Sequence, residues 1–210
     1  MLAADCDSRI INSVSEATKH LVEGGLMEYT QARKLSVTES HCLDVIMRKT
    51  ASMMSLSCEL PAILSEANPE QEKALIDFGT QFGMAFQLMD DAMDYSSEED
   101  YLGKPPGNDF REGHVTLPLL HLYDNSDSSL KKKIEGFIEN ENLTQEDFDY
   151  VLEKMRETKS IDYTLELARN YIEQAKLSIR TTTFAEPEHI KSFDAIADYI
   201  YERHTMATQS

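Results

Sequence analysis

The sequence is poor in the residues that interrupt helices and rich in those that form them. Tryptophan is absent, and the 210 residues include only 8 glycines and 6 prolines. Patterns typical of β-strands are missing, whereas Leu, Met, Glu, Ala and Lys recur at helical spacing. These features predict an all-α protein. We interpret residues 1–210 as a single all-α domain, since no linker or internal repeat divides the chain.

Basic residues are also scarce. Lysine and arginine total 20 against 38 aspartates and glutamates, which gives a formal charge of −18. This balance excludes a nucleic-acid binder that relies on neutralising phosphates. No apolar run approaches the ~18 residues that a membrane span needs, so we expect no transmembrane segment. No secretory signal is visible either, because Asp5 follows the first four residues directly.

Cysteine is too sparse to support a disulfide framework. Cys6, Cys42 and Cys58 match neither a set of paired cysteines nor the spacing of a zinc site. Reduced thiols of this kind are typical of the cytoplasm, which is the location we predict. The histidines form no pair one helical turn apart, so a histidine metal site is not expected.

Capping and turn signals divide the chain into helices. Thr38 or Ser40 is expected to cap the second helix, Pro61 to kink or end it, and Pro69 to begin the third. Thr144, followed by acidic residues, is a further predicted N-cap. The segment from Ser96 to Gly113 is the most loop-like. The predicted helices are Arg9 to about Arg33, Thr38 onward, Pro69 to Tyr95, Leu117 to Tyr123, Ser128 to Ile138, Thr144 to Thr158, Ile161 to about Ile179, and Pro187 to Arg203.

The helix from Pro69 to Tyr95 carries both an apolar stripe and a cluster of carboxylates. The stripe predicted to face a core consists of Leu75, Phe78, Phe82, Phe86, Met89 and Met93. Asp90 and Asp94 fall on a line about a quarter turn away that also holds Gln87, and Asp91 lies further round. Gly83, on the same line, leaves room for a group to approach the helix.

Three carboxylates beside an apolar face repel one another and are costly to desolvate. A hard dication with oxygen ligands would compensate them, and magnesium commonly combines one or two carboxylates with water and phosphate. The alternative is that Asp90, Asp91 and Asp94 form part of a solvated face in an acidic protein. The loop that follows supplies Lys104 and Arg111 within a backbone constrained by glycine and proline, as a diphosphate site requires.

Taken together, these segments resemble the trans-polyprenyl diphosphate synthase family. Residues 83–94 (GMAFQLMDDAMD) resemble its second aspartate-rich motif, and residues 102–113 (LGKPPGNDFREG) with 116–119 (TLPL) resemble the loop after it. Lys49-Thr50-Ala51 resembles the lysine-threonine motif that precedes this helix. The similarity continues through residues 168–171 and 197–199, and so covers nearly the whole chain.

The resemblance implies an isoprenoid synthase helical bundle that uses Mg²⁺ to condense an allylic diphosphate with isopentenyl diphosphate. Asp90 would then bind the metal directly, with Asp91 and Asp94 in support. Lys49 and Lys104 would contact the allylic diphosphate. Thr50 and Gln87 would line the pocket beside the reacting carbons.

Two departures from the family pattern limit what the resemblance implies. The first aspartate-rich motif is absent, and Met1 falls just before the middle of a full-length member, so the bundle is expected to lack its N-terminal helices. His114 also stands where many members have a lysine. We therefore expect no prenyl transfer by this chain alone, and we expect either a homodimer or a complementary N-terminal fragment as partner. The alternatives are a noncatalytic partner subunit, an acidic helical scaffold without a ligand, and a terpene cyclase of the same fold.

Overall fold

The computed structural model describes residues 7–96, 106–140, 143–184 and 187–207, and within these ranges it contains helices and no strand. A π-helical turn, Met47–Ala51, joins the second helix to the third. The prediction of an all-α fold is confirmed. The helices are α1 Ser8–Gln31, α2 Glu39–Ile46, α3 Ser52–Leu64, α4 Pro69–Ser96, α5 Asn108–Glu112, α6 Leu117–Asp124, α7 Ser128–Glu139, α8 Gln145–Glu157, α9 Ser160–Arg180 and α10 Pro187–Ala207.

Several helices begin where local capping chemistry predicts. The Thr38 hydroxyl accepts a hydrogen bond from the His41 amide at 3.2 Å at the start of α2. Pro69 is the first residue of α4. Thr144 and Asp147 satisfy each other's backbone amides in a capping box before α8. Each of these caps depends on residues within one turn, which is why the sequence suffices to predict it.

At two places the structure departs from the local signal because of tertiary packing. Pro61, predicted to kink or end its helix, does not end it; α3 continues to Leu64, and the turn after the proline buries Ala62 and Ile63. The predicted loop from Ser96 to Gly113 includes the short helix α5, which buries Phe110 completely. Burial of these apolar side chains offsets two free-energy costs: the helix hydrogen bond lost at Pro61 and the conformational entropy lost when the loop is ordered.

Helix α4 lies at the centre of the bundle and packs mainly against α9 and α3. Phe78, Met89 and Met93 from the predicted stripe are buried, and the remaining stripe residues are partly buried against the same core. The stripe is therefore confirmed. Burial extends beyond it, because Leu88 and Ala92 are also fully buried. Residues on more than one side of α4 are thus shielded from water, including some that the sequence places beside the stripe.

Two glycines of α4 allow unusually close contact with the preceding segment. A Cβ added at Gly83 would lie 2.5 Å from the Ala51 Cα, and one added at Gly79 would lie 2.6 Å from the Met54 carbonyl oxygen. The predicted close approach at Gly83 does occur, and the approaching group is the backbone of the π-helical turn. This contact fixes the turn, and with it Lys49 and Thr50, against α4.

Helix α1 presents large apolar side chains to solvent. Val22 is 56% exposed, Leu26 58% and Tyr29 81%. An apolar face of this kind is compatible with the predicted association with a second chain, which stays a prediction. Among the described residues, no helix is both long and apolar enough to cross a membrane.

Candidate active site

A cavity of about 70 Å³ opens between α1, α2 with the π-helical turn, α4 and the segment 114–116. Its wall includes Lys49, Thr50, Gln87 and Asp91, four of the residues that the sequence proposed for the site, together with His114. These residues come from three separate segments of the chain. The helical packing around Gly83 therefore brings the predicted lysine-threonine motif to the aspartate-rich helix.

Thr50, Gln87 and Asp91 form a hydrogen-bonded line along the cavity wall. The Thr50 hydroxyl donates to the Gln87 side-chain oxygen at 2.9 Å, and the Gln87 amide nitrogen donates to Asp91 Oδ1 at 2.9 Å. Gln87 and Asp91 are one helical turn apart on α4, whereas Thr50 belongs to the π-helical turn. Short π-helical turns inside α-helices occur frequently at functional sites, and no sequence pattern predicts this one.

The three aspartates occupy different environments. Asp90 is exposed, whereas Asp91 is 4% exposed on the cavity wall and Asp94 is 2% exposed. Asp94 Oδ2 accepts a hydrogen bond from the Asp109 amide at 3.0 Å, which ties α4 to α5. The sequence places Asp90 and Asp94 on one face beside the stripe and Asp91 further round, but in the structure Asp90 is exposed whereas Asp94 and Asp91 are both buried. Because α4 is buried on more than one side, the face that holds Asp91 is covered as well.

The carboxylate of Asp91 is poorly solvated and surrounded by like charge. Burial raises its pKa well above the ordinary value, the hydrogen bond from Gln87 opposes this rise, and the charges of Asp109, Asp90 and Asp94 add to it. Within the described part of the chain, no three His, Cys, Asp or Glu residues lie together in a ready metal cage. The donor set is nevertheless one of hard oxygens, and it fits a divalent cation that completes its coordination with water and phosphate oxygens.

Glu28, which the sequence did not indicate as a site residue, lies on the cavity wall between two basic residues. Its Oε2 is 2.5 Å from Lys49 Nζ, and its Oε1 is 3.4 Å from His114 Nδ1. The hydrogen bond with His114, together with the charge and hydrogen bond of Lys49, lowers the pKa of Glu28 to about 2, although burial opposes the shift. Glu28 belongs to α1, about twenty residues before Lys49, and no helical periodicity links the two positions.

The predictions for the two basic residues of the loop, Lys104 and Arg111, compare differently with the structure. Lys104, predicted to bind the diphosphate, lies outside the described residues. Arg111, the other cation of the predicted loop, donates to the Gln145 side-chain oxygen at 2.7 Å and stacks over the Phe148 ring at 5.4 Å. Arg111 therefore joins α5 to α8 and does not line the cavity, and its contribution of charge to a phosphate site stays a prediction.

The pair formed by Glu28 and His114 predicts a pH-dependent contribution to stability. Glu28 raises the pKa of His114 above 6.5, so the stabilisation is complete below pH 6.5 and is lost as pH rises through the folded-state value. We expect His114→Gln to lower the free energy of unfolding by up to about 1 kcal/mol at pH 6 and by less at pH 9. Urea titrations across this range would measure the difference. In a Glu28→Gln background the pH dependence of the difference should shrink, because only the weaker effects of Asp109 and Glu112 then raise the pKa of His114, and its persistence at full size would contradict the pairing.

Comparisons with known proteins show the family to which the chain is similar. Residues 1–155 match the family described as Polyprenyl synthetase. The chain is 35% identical to octaprenyl diphosphate synthase of Haemophilus influenzae over 175 residues, which cover 83% of this chain and 53% of that protein. It is 36% identical to heptaprenyl diphosphate synthase component 2 of Bacillus subtilis over 158 residues, or 75% of this chain and 44% of that protein.

The fold comparison gives the same result. The crystal structure of polyprenyl synthase from Caulobacter crescentus, complexed with calcium and isoprenyl diphosphate, superposes with a TM-score of 0.88 at 29% identity. The superposition covers 94% of this chain and 60% of the Caulobacter chain. This chain spans about half the length of the two relatives matched by sequence. A family match over residues 1–155, joined to close agreement in fold, shows that the chain belongs to the polyprenyl synthetase family.

Proposed function

We propose that this chain forms one side of a site for trans-prenyl transfer, in which an allylic diphosphate condenses with isopentenyl diphosphate. The observation that carries the proposal is the line of hydrogen bonds from Thr50 through Gln87 to Asp91 on the cavity wall. This line connects polar side chains of the cavity wall to a buried carboxylate, and Lys49, on the same wall, can bind an anionic group.

The reaction produces an anionic diphosphate and an allylic cation, and the cavity wall has residues that could stabilise each of them. The bond between the allylic carbon and its diphosphate breaks with both electrons leaving on oxygen. The double bond of isopentenyl diphosphate then attacks the allylic cation, and loss of a proton gives the elongated chain. Lys49 and Lys104 would bind the diphosphate. The oxygens of Thr50 and Gln87, already oriented by their mutual hydrogen bond, would face the allylic cation.

Asp90 and Asp91, with Asp94 in support, would hold the metal ion. We propose Mg²⁺, which when bound would supply the positive charge that stabilises the diphosphate as a leaving group. The exposure of Asp90 makes it accessible to a hydrated ion, and the crowding of carboxylates around Asp91 favours a cation there. Asp94 is engaged with the Asp109 amide and would orient the helix end.

Binding of inorganic pyrophosphate in the presence of Mg²⁺, followed by calorimetry, tests the proposed site. We expect saturable, magnesium-dependent binding that Lys49→Gln weakens about tenfold, because one charge-assisted contact is lost. Lys73→Gln is the matched control, since Lys73 is an exposed lysine paired with Asp77 on α4 away from the cavity. Equal weakening by both substitutions, or no binding by the wild-type chain, would contradict the proposed site.

A second candidate is one subunit of a two-component synthase. The name of the Bacillus relative, heptaprenyl diphosphate synthase component 2, favours it. Native mass compared with denatured mass would reveal a homodimer or a second polypeptide, and the exposed apolar face of α1 is the surface we propose for such contact. Turnover of both substrates only after a second chain is added would support this candidate.

The free thiols of Cys42 and Cys58 support a reducing, cytoplasmic location, which cell fractionation would check.

A further inference from the structure

Close backbone contact between α1 and the π-helical turn brings Glu28 to Lys49. A Cβ added at Gly24 would lie 2.7 Å from the Lys49 amide nitrogen, so this contact depends on glycine. Glu28 lies one turn after Gly24 on the same helix and therefore projects from the same side of α1. The Glu28 carboxylate thus reaches the Lys49 side chain directly.

The Glu28 carboxylate contacts the basic groups of two cavity-lining residues at once. One oxygen pairs with Lys49 Nζ at 2.5 Å and the other with His114 Nδ1 at 3.4 Å. His114 Nε2 also faces Glu112 Oε2 at 3.6 Å. The Glu28 side chain is 28% exposed, less than the 42% of Lys49, so this contact is partly shielded from solvent. The shielding strengthens the interaction relative to a fully exposed pair.

These contacts offset the positive charge of Lys49 on the cavity wall. The Glu28 carboxylate lies on the wall beside the Lys49 amine and the His114 imidazole. An incoming diphosphate therefore meets a lysine that already has an anionic partner. Binding through Lys49 Nζ requires that nitrogen to exchange the Glu28 carboxylate for a phosphate oxygen, while Glu28 stays close enough to repel the phosphate.

We propose that Glu28 is an internal competitor for the diphosphate, a carboxylate latch that holds Lys49 until an anion of higher charge displaces it. The inference rests on the proposed role of Lys49 as a diphosphate ligand. It adds a residue that sets the affinity of the site without touching the reacting carbons. A diphosphate can displace the latch because its greater charge, shared with a divalent cation, attracts Lys49 more strongly than one carboxylate does.

Pyrophosphate binding by Glu28→Gln tests the latch. The substitution keeps the size of the side chain and removes its charge, so we expect Glu28→Gln to bind pyrophosphate with Mg²⁺ about tenfold more tightly than the wild-type chain. Glu23→Gln is the matched control: Glu23 lies on the same helix, pairs with Arg48 at 2.6 Å and does not line the cavity. Tighter binding by both variants would indicate a general charge effect, and weaker binding by Glu28→Gln would assign Glu28 to holding Lys49 in place. Either result overturns the latch.

Chemical labelling of Lys49 gives a second measurement that needs no phosphate ligand. An amine held by a carboxylate reacts slowly with an acylating reagent, so mass spectrometry should show Lys49 labelled severalfold faster in Glu28→Gln and unchanged in Glu23→Gln. An unchanged labelling rate at Lys49 in Glu28→Gln would overturn the latch while leaving the diphosphate site intact. Failure of the wild-type chain and both variants to bind pyrophosphate would instead reject the proposed function and, with it, the latch.

Discussion

Asp91→Asn is expected to make the protein more stable and to abolish magnesium-dependent binding of pyrophosphate. Asp91 is almost fully buried, and burial together with Asp109, Asp90 and Asp94 raises its pKa, so its ionised form destabilises the folded state. Asparagine has no charge to desolvate, and its Oδ1 can still accept the hydrogen bond from Gln87. A gain of about 1–2 kcal/mol would raise Tm by about 2–8 °C in a chain of this size.

The pH dependence of this gain has a definite sign. Asp91 has a folded-state pKa above the ordinary value of 3.8, so its ionisation opposes folding only above that pH. The advantage of Asp91→Asn should therefore grow as pH rises from 3.8 and should disappear in more acidic solution. Differential scanning calorimetry from pH 3 to 8 would measure it.

Asp90→Asn is the matched control for Asp91→Asn. The two residues are adjacent on α4, but Asp90 is exposed. We expect Asp90→Asn to weaken binding of Mg²⁺ with pyrophosphate while changing Tm by less than about 2 °C, since its carboxylate is already hydrated. Equal gains in stability from both substitutions would show that general relief of negative charge is responsible, and would contradict a specific cost at Asp91.

Gly83→Ala is expected to be among the most damaging single substitutions in the chain. The added methyl group would lie 2.5 Å from the Ala51 Cα and 3.1 Å from the Met54 Cβ, so α4 and the π-helical turn must separate. We expect a loss of about 1–3 kcal/mol in the free energy of unfolding. Separation of these elements would also lengthen the hydrogen bond between Thr50 and Gln87, which spans the same contact. Urea unfolding would measure the loss, and weakened pyrophosphate binding would accompany it.

Gly136→Ala provides the control for Gly83→Ala. Gly136 lies within α7, and a Cβ added there would meet no heavy atom within 4 Å. Because alanine favours a helix over glycine by about 0.8–1.0 kcal/mol, this variant should be slightly more stable than the wild-type chain. Similar losses at Gly83 and Gly136 would contradict close packing as the cause.

The accuracy of the sequence predictions depends on how local the deciding interaction is. Thr38, Pro69 and Thr144 mark helix starts through groups within one turn, and all three predictions are confirmed. Pro61 does not end its helix, and the segment predicted as a loop before Gly113 contains α5, because Ile63 and Phe110 are buried in the bundle. A propensity scale contains no information about such partners.

The candidate site divides in the same way. The motif around Asp90 predicts the chemical class of the site, because the density of carboxylates and their spacing are properties of one helix. The pairing of Glu28 with Lys49 and His114 joins three segments of the chain, and no feature of any one segment predicts it. For Arg111 the sequence indicated a role at the site, because of its charge and its loop, but its side chain contacts Gln145 of α8.

The sequence by itself determined the all-α composition, most helix starts, the resemblance to the prenyl synthase family and the presence of a carboxylate cluster beside an apolar stripe. Only the tertiary structure decided that Asp91 faces the cavity while Asp90 faces solvent, that Gly83 accommodates the Ala51 backbone, and that Glu28 holds Lys49. The physical reason is that helical periodicity fixes the angle between two side chains on one helix, whereas the neighbouring helices determine which faces of that helix are buried.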